Sequence, residues 1–369
     1  MLYKSLVIKI SIPPEKKTKQ KEYLEIGLLP IVDQGKEIIG GYTNEVEKNI
    51  VCNLPVIVFG DHTCSVKYIN FPFGAGADGI KILKAKDNVL PQYLFYGTQY
   101  LVFHLHDRGY ARHYQHIEKM DLYVPPIEEQ RRIVSRIEEL FSELDSAVET
   151  LQKTRQQLEI YRQAVLKEAF QECTVSVKIE DVCIHVTDGD HMPPPKSETG
   201  IPFIMISNIQ NNKINWNNTA FVDSNYFDKI IDKRRPQQGD VLYTVTGSFG
   251  IPVLIDFDKK FCFQRHIALL RPNEKINQKY LYYVMQNPIV YEQARNKATG
   301  TAQKTVGLSV LRKIEIPFVD SLVEQEKIVL NIENKMSVCD SIEKTVNECL
   351  QQAEAMRQSI FKKAFEGEL

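Results

Sequence analysis

The fold of this chain is decided by residues 129–170, which read EQRRIVSRIEELFSELDSAVETLQKTRQQLEIYRQAVLKEAF. The same stretch recurs without a gap at residues 324–365 as EQEKIVLNIENKMSVCDSIEKTVNECLQQAEAMRQSIFKKAF. Identical residues run through both copies, from the opening Glu-Gln to the closing Ala-Phe. Because self-similarity at a fixed spacing marks a duplicated structural unit, the sequence predicts two equivalent halves that perform two equivalent tasks.

Each copy is predicted to form a long helix. Pro126 and Pro317 precede the copies, and proline is common where helices begin. Apolar residues then recur at steps of three and four, which favours a coiled-coil seam over an ordinary surface helix. At 1.5 Å per residue, about 40 residues form a rod of roughly 60 Å. Two such helices in one chain are expected to pack against each other. The predicted seam consists of Ile133, Ile137, Leu140, Leu144, Ala147, Leu151, Leu158, Tyr161 and Val165, and of Ile328, Ile332, Lys335, Cys339, Ile342, Val346, Ala353, Met356 and Ile360.

The remaining segments, residues 1–125 and 173–317, read as mixed α/β domains with many short strands. Short β-branched and aromatic runs such as Val241-Leu242-Tyr243-Thr244-Val245 alternate with Gly, Pro, Asn and Asp. The two segments also echo each other, because Pro91 to Tyr96 resembles Gln278 to Tyr283. The predicted organisation is therefore a domain at 1–125, a helix at 126–172, a domain at 173–317 and a helix at 318–369.

Composition describes an ordinary globular chain of 369 residues with a net charge of −1. No segment approaches the roughly 18 apolar residues of a membrane span and no signal peptide is recognised, so a cytoplasmic protein without membrane contact is expected. The seven cysteines never form Cys-x-x-Cys, which favours reduced thiols. The segments 1–125 and 173–317 carry charges of +2 and +4, whereas 126–172 and 318–369 carry −3 and −4. This pattern suits domains that hold a polyanion and helices that contact proteins.

Chemistry-bearing motifs point away from catalysis. Residues 74–79 satisfy the Gly-x-Gly-x-x-Gly fingerprint of dinucleotide sites, but that fingerprint should open a helix. The strand-like Ile80-Lys81-Ile82-Leu83 follows instead, so no cofactor site is expected. His104 and His106 could share a strand face but have no third ligand, so no metal site is expected either. No phosphate loop, methyltransferase motif or nuclease carboxylate cluster is recognised, and a non-enzymatic protein is expected.

These features resemble the specificity subunit of type I restriction-modification systems, which is built as target-recognition domain, conserved helix, target-recognition domain, conserved helix. The resemblance covers nearly the whole chain. It is carried most specifically by the helix endings at 162–170 and 357–369, and next by the helix openings at 125–130 and 317–325. In the second domain, the segments similar to family landmarks are Thr187-Asp188-Gly189-Asp190-His191, Gly200-Ile201-Pro202-Phe203-Ile204, Gly239-Asp240-Val241-Leu242 and Thr246-Gly247-Ser248-Phe249-Gly250. The shorter first domain lacks clear counterparts of the Asp-Gly-x-His and Gly-Asp-Val-Leu patterns.

The resemblance implies a fold, a function and partners. The implied fold class is α/β (α+β), with two target-recognition domains joined by two long antiparallel helices in an intramolecular, pseudo-twofold coiled coil. The implied function is recognition of a bipartite target on double-stranded DNA, one half-site per domain. The implied partners are two methyltransferase subunits and, in the restriction form, motor-nuclease subunits. S-adenosylmethionine, ATP and magnesium are then expected in those partners and not in this chain.

Ten residues are candidates for DNA contact. Gln303 and Lys304 lie in a loop that approaches DNA in the family, where glutamine suits adenine and lysine suits phosphate or guanine. Arg112 and His113 are their first-domain equivalents. For each of these residues the alternative is an ordinary polar turn. The complete candidate set is Gln303, Lys304, Arg112, His113, Asp188, Gly189, His191, Thr246, Ser248 and Lys196.

Four aromatic residues near the helix ends are candidates for docking partner subunits, namely Phe141, Phe170, Phe361 and Phe365. The alternative for these side chains is packing onto the adjacent domain. At the level of function two alternatives also stay open. The chain could serve a related modification-only system, or it could be a coiled-coil scaffold that does not bind DNA.

Overall fold

The chain folds into mixed α and β domains with two very long helices, as the computed structural model shows. The mixed architecture and the long helices were both predicted from the sequence and are confirmed. Among the described residues, no helix is both long and apolar enough to cross a membrane. The structure describes residues 1–76, 79–105, 112–191, 194–195, 197–301 and 303–369.

Contacts divide the chain into two compact units. Unit 1 comprises Met1–Gln152 and Asn347–Leu369, and unit 2 comprises Lys153–Val346. Both repeated stretches are cut by this division, so each unit holds one mixed domain with parts of both long helices. The four-segment organisation stays a sequence prediction.

The described residues of unit 1 form an antiparallel sheet, a mixed sheet and parts of both long helices. Its elements are β1 (Val7–Ile10), β2 (Lys17–Thr18), β3 (Leu29–Val32), β4 (Gly41–Thr43), β5 (Val56–Gly60), β6 (Val66–Ile69), β7 (Gly74–Gly76), β8 (Ile80–Ala85), α1 (Pro91–Phe103), α2 (Tyr114–Ile117) and α3 (Ile127–Ala169), which continues into unit 2. One sheet has the order β1-β8-β5-β6 and the other the order β2-β7-β3-β4. Strand β8 follows the Gly-x-Gly-x-x-Gly motif, which confirms that this motif does not open a helix there.

Unit 2 repeats this plan. Its elements are β9 (Val175–Lys178), α4 (Ile179–Val182), β10 (Cys183–Asp188), β11 (Ile201–Ile204), β12 (Ile209–Gln210), β13 (Lys213–Ile214), β14 (Ala220–Val222), α5 (Ser224–Lys229), β15 (Val241–Thr244), β16 (Pro252–Leu254), β17 (Cys262–Phe263), β18 (Ile267–Pro272), α6 (Gln278–Val284), α7 (Pro288–Lys297), α8 (Leu308–Arg312), β19 (Glu315–Phe318) and α9 (Leu322–Glu366), which ends in unit 1. The sheets have the orders β10-β18-β15-β16, β14-β11-β17, β12-β13 and β19-β9.

The main sheets of the two units have the same strand order and the same antiparallel pairing. In the second sheets, β3 pairs with β4 antiparallel and with β7 in parallel, and β11 pairs with β14 and β17 in the same way. The correspondence extends to single side chains. The hydroxyl of Tyr93 donates to the carbonyl of Tyr123 at 2.7 Å, and that of Tyr280 donates to the carbonyl of Pro317 at 3.1 Å. The domains are therefore duplicates, as the repeated helices predicted.

Within each unit the two long helices run antiparallel. In unit 1, Arg357 of α9 pairs with Asp145 of α3, and the rings of Phe141 and Phe361 meet one turn away. In unit 2, Arg162 of α3 pairs at 2.7 Å with Asp340 of α9. Shifting Asp145 and Arg162 by the repeat distance gives Asp340 and Arg357. The two ion pairs are therefore at equivalent positions of the duplicated sequence, one in each unit.

The predicted helix–helix seam is wrong at the positions next to these ion pairs. Tyr161 and Met356 were expected in the seam but are 48% and 57% exposed. The next residues, Arg162 and Arg357, occupy the interface instead, with side chains only 24% and 29% exposed. A straight helix drifts relative to a strict heptad, so the contact line moves by one residue. Ala147 and Ile342 are exposed as well, whereas the buried seam positions are Ile133, Ile137, Leu144, Leu158, Val165, Ile332, Cys339, Val346 and Ala353.

A buried glutamine fastens the start of each long helix to its domain. The Gln130 amide donates to the carbonyls of Asn88 and Pro125 at 3.0 and 2.8 Å, and its oxygen accepts from the Leu90 N–H. The Gln325 amide makes the same three bonds, to the Lys275 and Val319 carbonyls and from the Asn277 N–H. Both side chains are fully buried. The glutamine at the opening of the repeat is therefore a structural anchor.

Candidate nucleic-acid interface

Unit 2 carries a groove of about 380 Å³ at one end of its main sheet. Thr244 of β15 lies opposite Ile267, and Asp188 of β10 lies opposite the next residue of β18, so these strands finish at the same level. The loops that leave them form the groove together with the loop before α8. The hydrogen-bonding side chains that line it include Asp188, His191, Thr246, Arg265, His266 and Gln303.

Gly189 sets the path of the first loop. A Cβ atom at this position would lie 1.9 Å from the carbonyl oxygen of Phe263, so only glycine allows the backbone to pass. Backbone bonds then lock the two segments together, because the Asp190 N–H donates to Phe263 and the Arg265 N–H donates to Asp190, each at 3.1 Å. Gly189 itself is buried. The structure therefore gives Gly189 a positioning role in this loop, and its contact with DNA stays a prediction.

The carboxylates at the groove are already engaged by partners. Asp188 lies 2.8 Å from His191 and 3.3 Å from Arg234. Asp190 accepts a short hydrogen bond from the Tyr226 hydroxyl. Burial, followed by this bond, raises the pKa of Tyr226 above its ordinary value. Partnered carboxylates repel a phosphate backbone less than free ones would.

Thr299 and Thr305 pair with each other, and the backbone at 304–306 is bonded to the residues that follow β15. Thr299 and Thr305 exchange backbone hydrogen bonds at 3.0 and 2.7 Å. Gly300 turns the chain with φ +110°, a conformation that L side chains rarely adopt. The Gly247 N–H donates to the Lys304 carbonyl at 2.9 Å, which fixes the backbone at Lys304. Polar side chains are thus presented from a defined backbone.

The structure gathers some of the ten candidate residues and separates others. Asp188, His191, Thr246 and Gln303 line the groove together, whereas Lys304 and Ser248 are exposed on the adjoining loops. Lys196 lies outside the described residues. The assignment of these side chains to DNA contact stays a prediction.

The first-domain candidates occupy the equivalent position in unit 1. The His113 N–H donates to the Asp61 carbonyl at 2.9 Å, just as the loop before α8 is bonded to the residues after β15. Arg112 is exposed, but the His113 side chain is only 6% exposed and therefore offers little surface to DNA. Lys81 lies 3.6 Å from the buried carboxylate of Asp61. Residues 106–111, which precede this site, lie outside the described part of the chain.

Sequence reasoning missed Arg265 and His266. Both line the groove, and they lie in the turn between β17 and β18. The only signal in the sequence was that a basic pair immediately precedes the apolar run Ile267-Ala268-Leu269-Leu270. That pattern does not indicate a binding site by itself. It does so only once the sheet order is known, because β18 then begins beside the ends of β10 and β15.

The expectation that four aromatic residues are exposed for docking is wrong. Phe141, Phe361 and Phe365 lie in the core of unit 1 and are 7%, 2% and 3% exposed. Phe170 is 3% exposed in the core of unit 2, where its ring meets Tyr280 edge-on at 5.3 Å. The helix ends pack onto their own domains, because the apolar stripe there is wider than the seam needs.

The fold and the groove define a class of proteins in which a mixed domain and a long helix are duplicated within one chain. Residues 174–352 match the family described as the type I restriction modification DNA specificity domain. The resemblance to type I specificity subunits, first stated from the repeated helices, is thereby confirmed.

Two curated relatives and one solved structure extend this match. The chain is 26% identical over 277 residues to the EcoBI specificity subunit of Escherichia coli, covering 67% of this chain and 58% of that protein. It is equally similar to the EcoKI specificity subunit of Escherichia coli strain K12, covering 68% and 58%. The chain therefore aligns with little more than half the length of these relatives. A chain from a type I R-M system, studied for complex assembly and conformational transition, matches 100% of this chain and 97% of its own length, with 16% identity and a TM-score of 0.72. That similarity confirms the fold class.

Proposed function

We propose that this chain is the DNA sequence-recognition subunit of a type I restriction-modification system. Each mixed domain reads one half of a bipartite target, and the chain itself carries no catalytic site. Methyltransferase subunits, and motor-nuclease subunits in the restriction form, bind to it. S-adenosylmethionine, ATP and magnesium belong to those partners.

The observation that carries the proposal is the groove of unit 2. Four residues chosen from sequence landmarks converge there from three separate loops. The groove lies inside the segment that matches the DNA specificity domain. Side chains with amide, hydroxyl, imidazole or guanidinium groups form the hydrogen bonds to base edges and phosphates in protein–DNA complexes. The duplicated main sheet supports a second reader in unit 1.

The proposal is tested by fluorescence anisotropy of the full-length chain with a labelled random duplex between 50 and 200 mM salt. A DNA-binding protein releases counterions from the phosphates that it neutralises. The logarithm of its affinity therefore falls linearly with the logarithm of salt concentration. Absence of binding at 50 mM salt would favour the scaffold alternative. Mapping of methylated adenines in cells with and without the gene then reveals whether the target is bipartite. A mapped target without restriction of unmodified DNA would indicate a modification-only system.

Lys304→Ala is expected to weaken binding to every duplex by a similar factor. Lys304 is exposed next to Thr305, and a contact of its side chain with phosphate would carry no sequence information. Loss of one such contact should reduce the slope of the salt plot by about 1. The control is Lys275→Ala, an exposed lysine beyond the opposite end of β18, which should leave the slope unchanged. A slope that does not change in Lys304→Ala would contradict the phosphate assignment.

The docking surface for a methyltransferase subunit is proposed on the outer side of α9 and not at the buried phenylalanines. Leu330 and Val338 are 53% and 59% exposed and lie eight residues apart, which places them two turns apart on one side of the helix. Contiguous exposed apolar patches mark protein contacts, and we place such a patch around these two residues.

Changing Leu330 and Val338 together to glutamate is expected to abolish co-purification with the methyltransferase subunit. Surface substitutions of this kind alter folding stability by only about 0.5 kcal/mol, so thermal unfolding should be nearly unchanged. The matched control changes Ile231 and Ile289 to glutamate. These are equally exposed but lie outside the long helices. Retention of the methyltransferase by the Leu330/Val338 variant would place the docking surface elsewhere.

A further inference from the structure

Arg265 differs from every other arginine in the second domain, residues 173–317. Among the described residues, the other five guanidinium groups each hydrogen-bond to an acceptor within unit 2, and Arg265 makes no such bond. The five and their acceptors are Arg234 with Asp188, Arg235 with Asp232, Arg271 with Asp240, Arg295 with Glu292, and Arg312 with the carbonyl of Val186.

The root of the Arg265 side chain is nevertheless rigid. Its own N–H donates to Asp190, and the N–H of the preceding residue, Gln264, donates to Ile204 at 3.1 Å. The carbonyl of the following residue, His266, accepts from the Val245 N–H at 2.9 Å. Three backbone hydrogen bonds therefore fix the turn between β17 and β18, so little backbone entropy is lost when a ligand binds there.

The two carboxylates that line the same cavities as Arg265 are engaged by other residues. Asp188 lies 3.3 Å from Arg234 and 2.8 Å from His191. Asp190 accepts a hydrogen bond from the Tyr226 hydroxyl and lies 3.9 Å from Arg234. Within the described residues the Arg265 guanidinium has no hydrogen-bond acceptor, so its donors are available to a ligand. The side chain of Arg265 lines the groove and also an adjoining cavity of about 330 Å³. The Arg265 side chain thus lies where the loops converge, and within the described part of unit 2 its guanidinium takes part in no hydrogen bond.

We propose that Arg265 is a specificity-determining residue that reads a guanine in the half-site bound by the second domain. The planar guanidinium can donate two parallel hydrogen bonds to O6 and N7 of guanine in the major groove, a pattern that no other base pair offers. A phosphate would accept the same donors, so charge alone does not distinguish the two ligands. This inference rests on the proposed function, because it names the base class read at a groove already assigned to DNA.

The test is enrichment of bound duplexes from a randomised library by the full-length chain, followed by sequencing. Wild type should yield a consensus that contains a G·C pair lost in Arg265→Ala, with affinity for the wild-type consensus falling about 10-fold. Arg265→Lys should keep the affinity for random duplex but not restore the preference, because an ammonium is a single point of contact. Arg265→Gln should change the same position from guanine to adenine.

Arg295→Ala is the matched control, since it removes an exposed arginine of the same domain that pairs with Glu292, and it should leave the consensus unchanged. Thermal unfolding verifies that each variant is folded. An unchanged consensus with uniformly weaker binding in Arg265→Ala would mean a phosphate contact and would overturn the proposal. So would an unchanged consensus in Arg265→Gln. Failure of wild type to enrich any sequence would instead overturn the proposed function itself.

Discussion

Gln130→Ala is expected to lower the free energy of unfolding by about 4 kcal/mol. The substitution removes a fully buried amide that bonds to Asn88, Pro125 and Leu90. Two carbonyls and one N–H are then left without a partner, and each buried unsatisfied group costs about 1–3 kcal/mol. Urea denaturation of the full-length chain followed by circular dichroism measures the effect.

Two further variants make this prediction specific. Gln152→Ala removes an exposed glutamine from the same helix and should change stability by less than about 0.5 kcal/mol. Gln325→Ala breaks the three equivalent bonds in unit 2 and should cost as much as Gln130→Ala. The single tryptophan, Trp216, lies in unit 2, so its fluorescence reports the second loss. Costs below about 1 kcal/mol for both anchors would show that water replaces them, and the anchor assignment would fail.

The long helices were predictable because their signal is local and repeated. Apolar spacing over many turns identifies a helix without knowledge of its partner, and repetition of the whole stretch identifies the duplication. The interface residues Arg162 and Arg357 were not predictable from that spacing. Their role depends on Asp340 and Asp145, which lie far away in sequence and become partners only through antiparallel pairing.

The residues of the candidate site likewise divide into those with a local sequence pattern and those without one. Asp188, His191, Thr246 and Gln303 were found because each belongs to a local polar segment next to a glycine. The guanidinium of Arg265 was missed because it follows a short strand and has no local pattern of its own. What singles it out is the absence of an acceptor in the described structure, a property that depends on where Asp188 and Asp190 find their other partners.

Phe361→Ala is expected to destabilise unit 1 by about 4 kcal/mol, which is the usual cost of deleting a buried aromatic ring. The ring is 2% exposed and contacts Phe141 at 5.0 Å between centroids. Three more rings surround it, those of Tyr96, Phe103 and Phe365. Such contacts stabilise aromatic clusters by about 0.5–1.5 kcal/mol per pair beyond burial. Urea denaturation followed by circular dichroism provides the measurement.

The same experiment decides between a core role and a docking role for these phenylalanines. Met356→Ala, one and a half turns earlier on the same helix, removes a side chain that is 57% exposed and should change stability by less than about 0.5 kcal/mol. Phe361→Leu retains most of the volume and should cost less than Phe361→Ala. If Phe361→Ala instead kept wild-type stability and lost only the methyltransferase partner, the ring would be a docking residue. The cluster of four aromatic rings around Phe361 would then have to separate when the complex forms. The free energy of binding the partner would have to exceed the cost of that separation.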